Sequence, residues 1–65
     1  MITPLASYMD REGINDADLA ALIGRDRSMV NKLRRGRARP TLDLAAAIER
    51  ETKGAVPMNA WVEAA

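Results

Sequence analysis

Sixty-five residues carrying ten bases and nine acids set narrow bounds. A chain of this size buries only about 60% of the surface its unfolded form exposes, which allows a single small domain, residues 1–65, around a thin core. Cysteine and histidine are both absent; disulfides, thiolate metal sites, the commonest zinc ligand and the commonest general base are excluded together. Asp16 and Asp18 stand two apart and are more simply read as helix-start residues than as a catalytic pair. Neither an enzyme nor any metal or other cofactor is expected.

In chain order, Thr3-Pro4 opens the first predicted helix, with threonine as cap and proline at the first helical position. Leu5, Tyr8 and Met9 share one buried face. Gly13 supplies a left-handed stop, and Ile14 makes the apolar contact that commonly follows. Asn15 caps the second helix, whose first turn holds Asp16 and Asp18, where the helix dipole favours negative charge. Leu19, Leu22 and Ile23 form its apolar stripe beside Ala20, and Gly24 ends it. Asp26 caps a third helix from Arg27 to about Arg35, with Val30 and Leu33 inward, Met29 on the flank and Gly36 as the stop. A basic loop, residues 36–40, follows. Thr41 caps a fourth helix through about Thr52, with Leu44, Ala45 and Ile48 on its inner face and Gly54 as the stop. Val56-Pro57 begins a short fifth helix carrying Met58, Trp61 and Val62. No segment alternates strictly as a half-buried strand does. The expected fold class is all-α with five helices, packed around Leu5, Leu19, Ile23, Val30, Leu33, Leu44 and Ile48.

Charge is distributed very unevenly along these elements. Arg25, Arg27, Lys32, Arg34, Arg35, Arg37 and Arg39 lie in one stretch with a single acid, Asp26, a net of +6. The remainder holds three bases against eight acids, a net of −5. Such a concentrated basic surface is the electrostatic footprint of a phosphate-binding face. A solvated helix end would carry similar residues; the local pattern separates the two. Residues 16–35 fit a helix-turn-helix. Ala20 is small where the two helices cross, Gly24 tolerates the positive φ of the turn, and Leu19, Ile23, Val30 and Leu33 lock the pair together. In this unit the second helix enters the major groove.

Helix geometry at 100° per residue sharpens the assignment. With Val30 and Leu33 inward, Ser28, Asn31, Lys32 and Arg35 point outward, and Arg27 lies to one side near the helix start. That face has no acid. Arg and Lys donate to guanine O6 and N7, Asn pairs with adenine, and Ser accepts several partners. Arg35, Arg37 and Arg39, at and beyond the helix end, are assigned to phosphate, as is Arg25 in the turn.

The stretches Leu19-Ala20-Ala21-Leu22-Ile23-Gly24, Ser28-Met29-Val30-Asn31-Lys32-Leu33 and Arg35-Gly36-Arg37-Ala38-Arg39-Pro40 resemble the Cro/C1-type helix-turn-helix of phage repressors and bacterial xenobiotic-response-element regulators. Residues 48–56 resemble more narrowly the small Cro-like proteins grouped with the YdaS antitoxins. The resemblance spans residues 4–62. It implies a five-helix, lambda-repressor-like domain that binds operator DNA as a two-fold dimer. By position it places base reading on Arg27, Ser28, Asn31 and Lys32 and a phosphate contact on Arg35. Two positions depart from the family pattern. Asp16 stands where glutamine often touches phosphate. Arg34 stands where glutamate often pairs with a base on the first helix, so Arg34 is expected to face Asp10 or Glu12, or else phosphate.

Met58, Trp61 and Val62 are apolar and adjacent at helical spacing; they are expected either to cap the monomer core or to contribute a homodimer interface. The leading function is therefore a sequence-specific double-stranded DNA-binding transcription regulator, a repressor acting by promoter occlusion. The competing function is an antitoxin whose main task is binding a partner toxin; polymerase is a further candidate partner. Single-strand coating fits poorly, because it needs aromatic platforms and this chain has only Tyr8 and Trp61. No apolar run approaches the roughly 20 residues of a membrane span, and the N-terminus lacks a signal-peptide layout. A cytoplasmic, nucleoid-associated protein without a membrane partner is expected.

Overall fold

The computed structural model describes residues 3–62; residues 1–2 and 63–65 of the expected domain lie outside the described residues. Four α-helices run in chain order, α1 Pro4–Glu12, α2 Asp16–Ile23, α3 Arg27–Arg34 and α4 Leu42–Glu51, followed by a 3-10 helix at Met58–Trp61. Among the described residues no strand forms.

Each α-helix starts where a side chain captures a free N–H of the first turn. Thr3 Oγ1 accepts from Ala6 N at 3.0 Å, Asn15 Oδ1 from Asp18 N at 2.8 Å, Asp26 Oδ1 from Met29 N at 2.9 Å and Thr41 Oγ1 from Leu44 N at 3.2 Å. A cap of this kind contributes about 1 kcal/mol. The first two helices stop at Gly13 and Gly24, with φ of 67° and 70°. Helix α3 closes at Arg34, and Arg35 is its cap rather than its last residue. Helix α4 stops earlier than glycine alone would dictate. Thr52 is its cap, Lys53 already takes a left-handed φ of 55°, and Gly54 follows at 86°.

The core is the predicted one, enlarged. Leu5, Leu19, Val30, Leu33 and Ile48 are fully buried, with Ile23 and Leu44 nearly so, and Met9, Ala20, Ala45 and Val56 join them. Full burial of one such large aliphatic side chain is worth about 1.5–3 kcal/mol. Leu22 does not belong to this stripe. It is half exposed, because α2 is rotated so that Leu19, Ala20 and Ile23 fill its inner arc, which leaves Leu22 at the edge of that arc, on the opposite side from Ala20.

The five-helix expectation needs correction at the C-terminal end. Only one turn forms there, and its bonds are of the short i to i+3 kind, Ala60 N to Pro57 O at 3.0 Å and Val62 N to Asn59 O at 3.2 Å. The physical reason is tertiary anchoring of a short segment. Val56 is pulled fully into the core, Val56 N donates to Thr52 Oγ1 at 3.1 Å, and Met58 N donates to Glu49 Oε1 at 3.2 Å. Thr52, the one buried polar residue among those described, also donates its hydroxyl to Ile48 O at 2.7 Å. The backbone after Pro57 is thus fixed to α4 before a full i to i+4 ladder can close. Four residues suit a 3-10 turn.

Candidate nucleic-acid interface

Helices α2 and α3 meet through the Gly24 corner. Arg25 N donates to Ala20 O at 3.0 Å, which closes the end of α2, and Asp26 at once caps α3. Ala20 is 5% exposed, buried at the crossing, where a longer side chain would force the helices apart. Val30 and Leu33 hold the inner side of α3. Its outer side is left to polar residues.

Arg27, Ser28 and Lys32 are exposed, and Asn31 is half-buried. Arg27, Ser28 and Asn31 line an open cleft of about 550 Å3 together with Asn15, Asp16 and Ala17 of the α2 start. Lys32 stands beside Asn31 on the same helix. Arg35 and Arg37 are exposed just past it. The loop carrying them is tied down by Arg37 N donating to Lys32 O at 2.8 Å and by Gly36 at φ 75°. Thr3 Oγ1 donates to Arg34 O at 2.7 Å, fastening the start of α1 to the end of α3. Arg25 is exposed in the turn, its guanidinium reaching back to Gly24 O at 3.3 Å. Arg39 is also exposed; it borders a recess with Thr3, Gly36 and Trp61 and an apolar groove with Leu42, Met58 and Val62.

The two positions that depart from the family pattern meet each other. Arg34 donates to Asp16 through Nε at 2.9 Å and Nη2 at 3.2 Å, a two-pronged pair. Asn31 Nδ2 donates to the same carboxylate at 3.2 Å. The expected pairing of Arg34 with Asp10 or Glu12 does not form. Asp10 acts on Arg34 only through its charge, and Glu12 pairs with Arg11 at 3.4 Å. The reason is geometric: Asp16 lies at the first residue of α2, beside the last turn of α3, and offers both oxygens to the flat guanidinium. Hydrogen bonding from Arg34 holds the Asp16 carboxyl below its ordinary range, against a smaller opposing effect of burial and with help from Asn31. Asp16 raises Arg34 in turn, chiefly by the same hydrogen bond. An acid on the rim of the basic face is in this way neutralised rather than left to repel phosphate.

Apolar residues of α4 and of the segments flanking it form a second surface. Pro40, Leu42, Ala45, Met58, Trp61 and Val62 line a groove of about 440 Å3. Leu42 is 78% and Val62 69% exposed, whereas Trp61 is half-buried and packs against the core. Trp61 therefore packs on the core, one of the two roles open from the sequence, and also lines the groove. Its Nε1 is buried without a hydrogen-bond partner among the described residues. Leu42 was not foreseen. The signal was present, since an N-terminal leucine on the side of α4 away from Leu44 and Ile48 has no core to enter.

This geometry, a small-residue crossing, a glycine corner and an exposed cationic second helix, is that of a helix-turn-helix DNA-binding domain. The helix-turn-helix family model of the Cro/C1 type matches residues 5–54, and the chain belongs to that family. It is a family of DNA-binding regulators and generally non-enzymatic. No curated protein and no solved structure matches the chain. No described helix is long and apolar enough to cross a membrane.

Proposed function

We propose that this chain is a sequence-specific repressor that binds a two-fold operator through the major groove as a homodimer. The observation that carries the reading is the outer side of α3: wholly polar, exposed at Arg27, Ser28 and Lys32, cationic at Arg27 and Lys32, and backed by the fully buried Val30 and Leu33. Arg27, Ser28, Asn31 and Lys32 read base edges. Arg25, Arg35, Arg37 and Arg39 contact phosphate and fix the register. Occlusion of a promoter needs nothing beyond tight binding.

The apolar groove supports the homodimer. One recognition helix with about four base contacts discriminates weakly, and a second copy doubles the readout. Half-sites then lie about 34–36 Å apart. Leu42, Met58, Trp61 and Val62 supply the interface in this reading; the partner toxin of the competing reading would occupy the same groove. Selection of binding sites from random duplex DNA tests the whole proposal. A two-fold motif is the expected result; a motif without symmetry would remove the dimer, and no enrichment at low salt would remove the DNA-binding role. Sedimentation of the wild type and of Trp61→Ala at micromolar concentration adds a DNA-free check. Two folded monomers of equal DNA affinity would eliminate the groove as the interface.

A further inference from the structure

We infer that Asp16, which faces no base itself, sets which half of the base alphabet Asn31 reads. The inference rests on the base-reading role proposed above for Asn31. A carboxylate can only accept hydrogen bonds. The end of the Asn31 amide that lies 3.2 Å from Asp16 Oδ2 is therefore its NH2. The carbonyl oxygen Oδ1 is turned the other way. It accepts no hydrogen bond among the described residues and is not among the atoms sealed from solvent. Arg34, on both oxygens of Asp16, keeps the carboxylate in place.

An asparagine free to rotate offers either a donor or an acceptor to the groove. Asn31, with one N–H engaged by Asp16 so that the amide cannot flip, keeps Oδ1 free as an acceptor beside its one remaining N–H, and it lines the cleft with Arg27 and Ser28. In the major groove, adenine N6 and cytosine N4 are donors, whereas guanine O6 and thymine O4 are acceptors. At the base edge that Oδ1 meets, Asn31 selects the donors adenine N6 or cytosine N4 on one strand and rejects the acceptors guanine O6 and thymine O4. Asp16 is a positioning residue that fixes the polarity of this readout.

The test compares site selections for the wild type, Asn31→Ala, Asp16→Asn and Asp16→Ala, each checked for folding by circular dichroism. Asn31→Ala relaxes one position per half-site and so marks the base Asn31 reads. There the wild type prefers adenine or cytosine by about two- to tenfold, the range of one net hydrogen bond. In Asp16→Asn the new amide keeps its carbonyl on Arg34, which only donates, and turns its NH2 toward Asn31. Asn31 then rotates, and preference at that position shifts to guanine or thymine while the Arg27 and Lys32 positions stay as they were. Asp16→Ala frees the amide and levels the preference, and it stands in should Asp16→Asn not fold. An unchanged preference in folded Asp16 variants, or guanine or thymine in the wild type, overturns the inference. The Asn31 side-chain NH2 resonances in the free protein give a readout independent of DNA. They should move and exchange faster in Asp16→Ala. If they do not, the positioning role is lost even with DNA binding intact; if they do while no duplex binds, the proposed function fails and the amide geometry stands.

Discussion

The outer side of α3 and the groove between α4 and the 3-10 turn are both exposed, yet they differ in what exposure costs. On α3, arginine, lysine and serine remain hydrated, so the free protein loses nothing by presenting them. In the groove, Leu42 of α4 and Val62 hold apolar surface in water, a cost that association would remove. One face is therefore ready to exchange counterions for phosphate, and the other has reason to be covered. The contrast teaches that a small domain can present a hydrated cationic face and an exposed apolar one on a single packed core.

Breaking the support of the first face should have the largest effect. Leu33→Ala removes a fully buried side chain behind α3 and should cost about 2–5 kcal/mol of stability, measured by urea unfolding, with DNA binding lost alongside. A loss within error of zero would mean that α3 is not held by its inner side. Lys32→Ala leaves the fold intact and should cost about 1–3 kcal/mol of affinity for the selected site while relaxing one base preference. A uniform loss over all sequences would move Lys32 from base to phosphate. Leu42→Ala probes the other face. Its stability as a monomer should change by less than about 0.5 kcal/mol, while self-association weakens by about 1 kcal/mol or more; equal sedimentation at all concentrations would dissociate Leu42 from the interface. Arg37→Ala should reduce the slope of log affinity against log salt by about one, alike for every sequence, and an effect confined to one operator would contradict a phosphate role.

The smallest expected effect concerns Asp16. Its carboxyl is depressed in the folded protein by Arg34 and Asn31, with Arg35 adding its charge. The stabilisation is complete above the unfolded carboxylate value of about 3.9 and is lost as pH falls below it, through the lower folded value. For a partly exposed pair this amounts to about 0–1 kcal/mol. Between pH 7 and pH 3 the wild type should lose slightly more stability than Asp16→Ala. The reverse order would mean that the pair does not stabilise the fold.

The amino-acid order by itself determined the four caps, the glycine corners at Gly13 and Gly24, the core of Leu5, Leu19, Val30, Leu33 and Ile48, and the outward side of α3. All of these depend on neighbours within a turn or on helical period, and such short-range rules are readable along the chain. Three features were decided only by the tertiary structure: the meeting of Asp16 with Arg34 and Asn31, the fastening of Thr3 to the end of α3, and the reduction of the last helix to one 3-10 turn by Thr52, Val56 and Glu49. Asp16 and Arg34 both stood out in the sequence as departures, but separation along the chain gives no distance in space. Each of these features depends on how two helices cross or how a segment docks. That is settled by the packing of the whole core, which places groups from four to thirty-one residues apart within hydrogen-bonding reach.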